Sequence, residues 1–262
     1  MGRAKEIVIK VIPSNVANEF VKRHHYSGKV VQNSMLHFGA FLDGKLHGVL
    51  QYGPSMDKRK VMGLVEGTGW NEFIELNRMA FDDYLPRNSE SYAIGKTLRM
   101  IKKQAPQIKW VISFADGAQC GDGTIYRASN FVLTGIRESR SILEFPNGEH
   151  IAALSLETHW KDEAARRQCA YFHVPVKART RAEWVSLGAR FIPGFQLRYI
   201  YFLDPRYKSR LVPTPLPFSK IDEMGAGMYK GRSVSRAERH AIKTQGKENN
   251  PKEQHHVPPP NP

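Results

Sequence analysis

Two apolar runs with a helix between them constrain this chain more than anything else in it. Phe73-Ile74-Glu75-Leu76-Asn77-Arg78-Met79-Ala80-Phe81 alternates like a strand, and Trp110-Val111-Ile112-Ser113-Phe114 is a short apolar run of the buried-strand type. Between them Pro86 and Asn88-Ser89-Glu90-Ser91 open a helix that carries Tyr92, Ile94, Leu98 and Ile101 and closes on Lys102-Lys103. Its acidic start and basic end suit the helix dipole. Asp116-Gly117 and Gly121-Asp122-Gly123 follow the second run, then a short helix from about Thr124 to Ser129. Strand, helix, strand, helix in this order predicts an α/β unit whose two strands lie side by side.

The flanking segments extend this into a mixed α+β sheet. Ile7 to Ile12 reads as a first strand, and Pro13-Ser14 offers a cap for a helix with Val16, Ala17, Phe20 and Val21 at helical spacing. That helix runs out into Lys22-Arg23-His24-His25-Tyr26-Ser27-Gly28. Leu36 to Leu42 and Leu46 to Tyr52 form a hairpin around Asp43-Gly44. Residues 140 to 210 are less patterned: Leu143 to Phe145, Ala152 to Leu156, Arg181 to Leu187 and Arg198 to Leu203 read either as a second small layer or as an insertion. The expected organisation is one folded domain over 1–220, with a core at about 7–136 and an extension at about 137–220. Residues 221–262 are polar, basic and rich in glycine and proline, and are expected to be a disordered tail.

Charge bears on the partner. The 262 residues carry 39 Lys and Arg against 25 Asp and Glu, a net +14, and the basic residues run through the folded part as well as the tail. That balance favours a polyanion such as nucleic acid over mere solubility. Cys120 and Cys169 are the only cysteines, too few for a disulfide framework and not spaced for zinc. No apolar run reaches the roughly 20 residues of a membrane span, and the N-terminus lacks an apolar signal core. The expectation is a protein that stays in the cytoplasm and off the membrane.

Several residues are candidates for chemistry. The helix start at Arg87-Asn88-Ser89-Glu90-Ser91 offers free N–H groups to an anion, or is an ordinary capped helix. His25 and Tyr26 could exchange and orient protons, or lie in a surface loop. Asp116 at a strand end could act as a base, bind a metal or cap its turn. Tyr126, on the first turn of a short helix, is either core or a ligand contact. Arg78 interrupts an apolar strand and needs a carboxylate (Glu75 or Asp82) or a ligand anion.

The order and spacing of these segments resemble the Mom family of Mu-like phages, DNA-modification proteins with a GNAT-like acyltransferase fold. The resemblance lies in Arg23 to Gly28, Glu75 to Met79, Asn88 to Ser91, Ser113 to Gly117, and Gly123 to Tyr126 with Asn130-Phe131, and returns at Pro193 to Tyr199 and Phe202 to Pro205. It implies His25, Tyr26 and Asp116 as catalytic residues, with Arg78 and Tyr126 holding an acyl donor. In the GNAT class, coenzyme A pyrophosphate binds where Asn88, Ser89 and Ser91 stand, although the usual glycine-rich signature is absent apart from Gly95.

The implied reaction converts adenine N6 in double-stranded DNA to N6-carbamoylmethyladenine, with the base flipped out, protecting phage DNA from restriction in the host bacterial cytoplasm. The implied donor is acetyl-CoA, or an aminoacyl-type donor already bearing a glycine-like unit. Simple acetyl transfer cannot join N6 to a methylene, so the acetyl route also leaves iron open. His24, His25 and Asp116 could converge on a metal, although nothing in their spacing demands one, and the chain could pair as a homodimer. Two other readings are an N-acetyltransferase acting on a protein, tRNA or small-molecule amine, and a non-catalytic DNA-binding protein.

Overall fold

A computed structural model describes residues 3–25, 27–117, 121–229, 232–233 and 238. The predicted unit is present: β4 (Phe73–Phe81), α3 (Ser89–Gln104), β5 (Trp110–Asp116) and α4 (Thr124–Ala128) follow one another, and β4 and β5 pair in parallel. Before them come β1 (Val8–Val11), α1 (Ser14–His24), β2 (Leu36–Leu42), β3 (Lys45–Gly53) and α2 (Lys58–Met62). Asp43 and Gly44 both take positive φ, 51° and 76°, as the tight β2–β3 hairpin requires. Of the expected Pro13-Ser14 cap, Pro13 is the N-cap of α1, and no side chain caps that helix. The proline's fixed φ and extended ψ bring the chain in without one.

After β6 (Val132–Glu138) the chain leaves the sheet and builds a small layer. It comprises β7 (Ile142–Glu144), β8 (His150–Ala152), α5 (Ala153–Thr158), α6 (Glu163–Tyr171), α7 (Arg181–Ser186) and β9 (Arg190–Phe191). Its own core holds Leu143, Phe145, Leu156, Cys169 and Trp184. The chain then returns as β10 (Phe195–Phe202), which inserts between β5 and β6 and pairs antiparallel with both. The main sheet runs β1-β2-β3-β4-β5-β10-β6. It therefore draws a central strand from well beyond residue 136.

Helices cover both faces. Leu50, Tyr52, Ile74, Leu76, Val111 and Tyr199 join Ile94, Leu98 and Ile101 of α3 in the principal core. On the other face Phe20 and Val21 of α1 pack on Val49 and Ala80, and Val61 of α2 packs with Phe73, Trp110 and Ile112. Most of the fold's stabilisation comes from burying these two layers.

Candidate active site

The site begins with an irregularity in β4. In a regular strand, residues three apart point to opposite faces. Here Gln51 pairs with Arg78 while the next residue, Tyr52, pairs with Leu76, so Asn77 is the extra residue of a β-bulge. The bulge returns Leu76 and Met79 to one face, toward α3, and places Glu75 and Arg78 together on the other, toward α1. Gly53 makes room for it: a Cβ there would lie 2.5 Å from the Asn77 side-chain oxygen and 2.6 Å from the Asn33 carbonyl.

Glu75 and Arg78 face the segment that follows α1. The Arg78 guanidinium donates from Nε to the Lys29 carbonyl (3.1 Å) and from Nη1 to the Asn77 carbonyl (2.8 Å), tying that segment to the strand. Of the two carboxylates considered as its partner, Glu75 shares its face and interacts with it electrostatically, whereas Asp82 bonds His47 at 2.8 Å. Burial pushes the Glu75 carboxyl up, opposed by a hydrogen bond from Ser55 and by Arg78.

His25 follows α1 and is held by Ser27. The Ser27 backbone N–H donates to Nδ1 at 3.2 Å, and the Ser27 hydroxyl lies 2.8 Å from the same atom. A backbone N–H can only donate, so Nδ1 is the acceptor and the neutral ring carries its proton on Nε2. Burial, reinforced by Arg78, lowers the His25 pKa to about 4. This histidine is neutral at physiological pH and presents an N–H. Tyr26 lies outside the described residues.

Asp116 ends β5 on the same sheet face as Glu75 and Arg78, as follows from the parallel pairing of Glu75 with Ile112 and the alternation along β5. Its carboxylate accepts a hydrogen bond from the Ser141 hydroxyl (2.7 Å), which accepts one from Ser139 (2.8 Å). Both serines lie on the connection from the main sheet into the small layer. Ile142, next in sequence, lines a cavity of about 240 Å³ together with Ser27, Lys29, His150, His159 and Asp162. Lys29 reaches Asp162 of the small layer at 3.4 Å. The small layer thus walls the face on which His25, Arg78 and Asp116 lie.

The opposite face carries the other candidates. β4 and β5 pair only from Phe73–Trp110 to Glu75–Ile112; beyond that they part, leaving the β4 edge from Leu76 without β5 beside it. Ser113 is the first β5 residue past the split. It is fully buried, shares a face with Val111 and Ala115, and its hydroxyl has no hydrogen-bond partner among the described residues. Tyr126 is buried on this side, 5.2 Å from the Tyr199 ring and 5.4 Å from that of Phe131. At the start of α3, Asn88 has φ 69° and makes no side-chain cap. The Ser89 hydroxyl donates to the Pro86 carbonyl (2.5 Å) and that of Ser91 to the Asn88 carbonyl (3.1 Å). These serines bind their own turn, so an anion there would meet backbone N–H groups.

The predicted residues therefore divide. His25, Arg78 and Asp116 share one sheet face, while Tyr126 and the α3 start lie on the other, with the β4–β5 split between them. Ser27, Ser113 and Ser141 join the site without having been singled out. Ser141 lies where the sequence shows no periodicity, and Ser113 looks like any small residue in a buried strand. Among the described residues no group of three or more His, Cys, Asp or Glu is placed to hold a metal ion. No described helix is long and apolar enough to cross a membrane.

Taken together, this is a mixed-sheet α/β protein with His25, Arg78 and Asp116 on one face of the sheet, beside a split between its central parallel strands. The chain belongs to the Mom protein family, whose model matches residues 6–220. It is 41% identical over 137 residues to methylcarbamoylase mom of Escherichia phage Mu, a match covering 52% of this chain and 56% of that protein, so the chain spans little more than half the length of this curated relative. Among solved structures it is similar to the ribosomal-protein-S18-alanine N-acetyltransferase of Escherichia coli, with 10% identity, coverage of 76% and 94% of the two chains and a TM-score of 0.40. A GNAT family acetyltransferase from Elizabethkingia anophelis with acetyl-CoA bound gives 10% identity, 75% and 97% coverage and a TM-score of 0.40.

Proposed function

We propose that this chain is a phage DNA-modification transferase that converts adenine N6 in DNA to N6-carbamoylmethyladenine. The observation that carries the reading is the placement of His25, Arg78 and Asp116 on one sheet face beside the β4–β5 split, in a chain of the Mom family. The methylcarbamoylase name of the phage Mu relative supports transfer of a group of the same composition, an isomer of carbamoylmethyl.

An acyl donor such as acetyl-CoA fits the split. Its extended arm bears amides that would pair with the β4 edge beyond Glu75, the Ser113 hydroxyl would gain a partner, and the start of α3 would meet the pyrophosphate. Tyr126 would pack against the arm from α4. Bound there, acetyl-CoA would supply the two-carbon unit. Because N6 ends on the methylene and not on the carbonyl carbon, that route would also need a nitrogen source and a two-electron oxidant. An aminoacyl-type donor would bring a glycyl unit already at the product's composition and oxidation level.

The chain's own residues act on the other side. The adenine amine is a weak nucleophile because its lone pair is delocalised into the ring. Asp116, oriented by Ser141, accepts the proton lost from N6 as the new bond forms. His25 donates through Nε2–H toward developing negative charge, with Tyr26 beside it in sequence orienting or protonating. Arg78 fixes Lys29 against β4 and adds positive charge beside His25. Substrate, a flipped adenine from double-stranded DNA, approaches from the face walled by the small layer.

Asp116→Asn keeps the shape and removes the base. In cells expressing the variant, a resident plasmid should lose resistance to restriction enzymes that read adenine N6, while the protein melts like wild type. Full resistance would remove Asp116 from the mechanism.

A further inference from the structure

On the sheet face that bears Asp116 lies a second cavity, of about 280 Å³, which the proposed chemistry does not use. Phe114, Val61 and Leu64 form its apolar floor, and Lys60, Arg137 and Arg198 line it. Among the described residues none of these three cations is paired with a carboxylate. The acidic residue in the lining, Asp57, is turned to α2, where it accepts the Lys60 backbone N–H at 3.3 Å. Like charges gathered around a cavity repel one another unless an anion enters.

Arg198 is half-buried and held in place. Its Nε donates to the Thr134 hydroxyl (3.0 Å) and its Nη2 to the Thr134 carbonyl (2.6 Å). The guanidinium lies against Gly135, its β6 register partner, where a Cβ would come within 3.1 Å of Nη2. An alanine Cβ there would make the guanidinium give way by a few tenths of an ångström. Burial and the nearby Arg137 both disfavour its charge. A guanidinium kept charged at that cost and fixed by two bonds is preorganised for an acceptor of matching geometry, and phosphate is the best match.

We infer that the cavity bounded by Lys60, Arg137 and Arg198 is a phosphate seat that takes a backbone phosphodiester of the nucleic-acid strand entering the active site. Its position fits: Gln196 in its lining is the β10 register partner of Asp116, and Phe114 stands two residues before Asp116 on the same face, about 7 Å away along the strand. The inference rests on the DNA-acting reading for the source of the phosphate.

The test is duplex-oligonucleotide binding by the full chain, followed by fluorescence anisotropy from about 50 to 200 mM salt, the range in which counterion release dominates. One phosphodiester accounts for about 0.9 of the slope of log affinity against log salt. Arg198→Gln, Arg137→Gln and Lys60→Gln should each lower its magnitude by a part of that amount, and the double variant Arg137→Gln/Lys60→Gln by most of it. Arg137 and Lys60 are exposed, so their variants remain informative if Arg198→Gln does not fold. Gly135→Ala should weaken binding severalfold with the net charge unchanged. Wild-type slopes in Arg137→Gln and Lys60→Gln would overturn the seat and leave the DNA-acting reading intact. Binding of inorganic phosphate that these substitutions abolish, with DNA affinity untouched, would assign the seat to a free anion and overturn the nucleic-acid source. A wild-type protein that binds no duplex at all would overturn both.

Discussion

At the scale of single residues, the account turns on protonation and on one unsatisfied hydroxyl. His25 should titrate near 4, and imidazole nitrogen chemical shifts followed from pH 3 to 8 will read it directly. The sign follows from the depressed folded value. Above the unfolded pKa of about 6.5 the ring is neutral in both states and contributes nothing. As pH falls from there toward 4 the unfolded chain takes up the proton first, so the fold loses stability over that window. A midpoint near 6.5 would contradict the buried, Arg78-flanked placement. Ser113→Ala should leave stability unchanged or raise it by about 1 kcal/mol, because it removes a buried hydroxyl without a partner. Transfer activity should nevertheless fall, and equal activity would remove Ser113 from the donor side. Arg78 and Asp116 were legible in the sequence because a charge inside an apolar run and a carboxylate at a strand end are both chemically conspicuous. Ser141 was not, since a hydroxyl in an unpatterned segment gives no sign of the carboxylate it will meet.

The β4 bulge governs the site at the scale of elements. It explains how Glu75 and Arg78, three apart, reach one face while Leu76 and Met79 reach the other. Alternation alone suggested a strand over Phe73–Phe81 and gave its limits, yet it could not show the extra residue, because the apolar residues on either side of the bulge mask the change of phase. Gly53→Ala should be destabilising by about 1–3 kcal/mol in urea unfolding, since its Cβ would press on Asn77 and the Asn33 carbonyl. It should also reduce modification, because the bulge aims Arg78. Unchanged stability would mean that the bulge tolerates a side chain at its partner strand. The hairpin at Asp43-Gly44 and the helix of Ser89–Gln104 were readable because turn chemistry and helical spacing are local signals. The pairing of β10 between β5 and β6 was not, because its partners lie about 60 to 90 residues earlier and nothing local encodes such a register.

Over the whole molecule, the main sheet carries the candidate site and the small layer walls one face of it. Residues 139–141 both connect the two and hydrogen-bond Asp116 through Ser141, so the small layer is structurally tied to the face of the candidate site. Ser141→Ala should therefore lower modification by about tenfold with little change in melting temperature, the loss expected when a hydrogen bond to a charged group disappears. The net charge of +14 fits a nucleic-acid substrate, and the cations facing Phe114 give that charge a location within the fold. The most direct test of the central claim is the mass of deoxyadenosine from cellular DNA. The protein is expressed in cells carrying a plasmid, the plasmid is digested to nucleosides, and these are separated and weighed. The account predicts a new deoxyadenosine species with one hydrogen replaced by a carbamoylmethyl group, absent with Asp116→Asn. Unmodified deoxyadenosine from cells containing folded protein, or an acetylated species in its place, would contradict it.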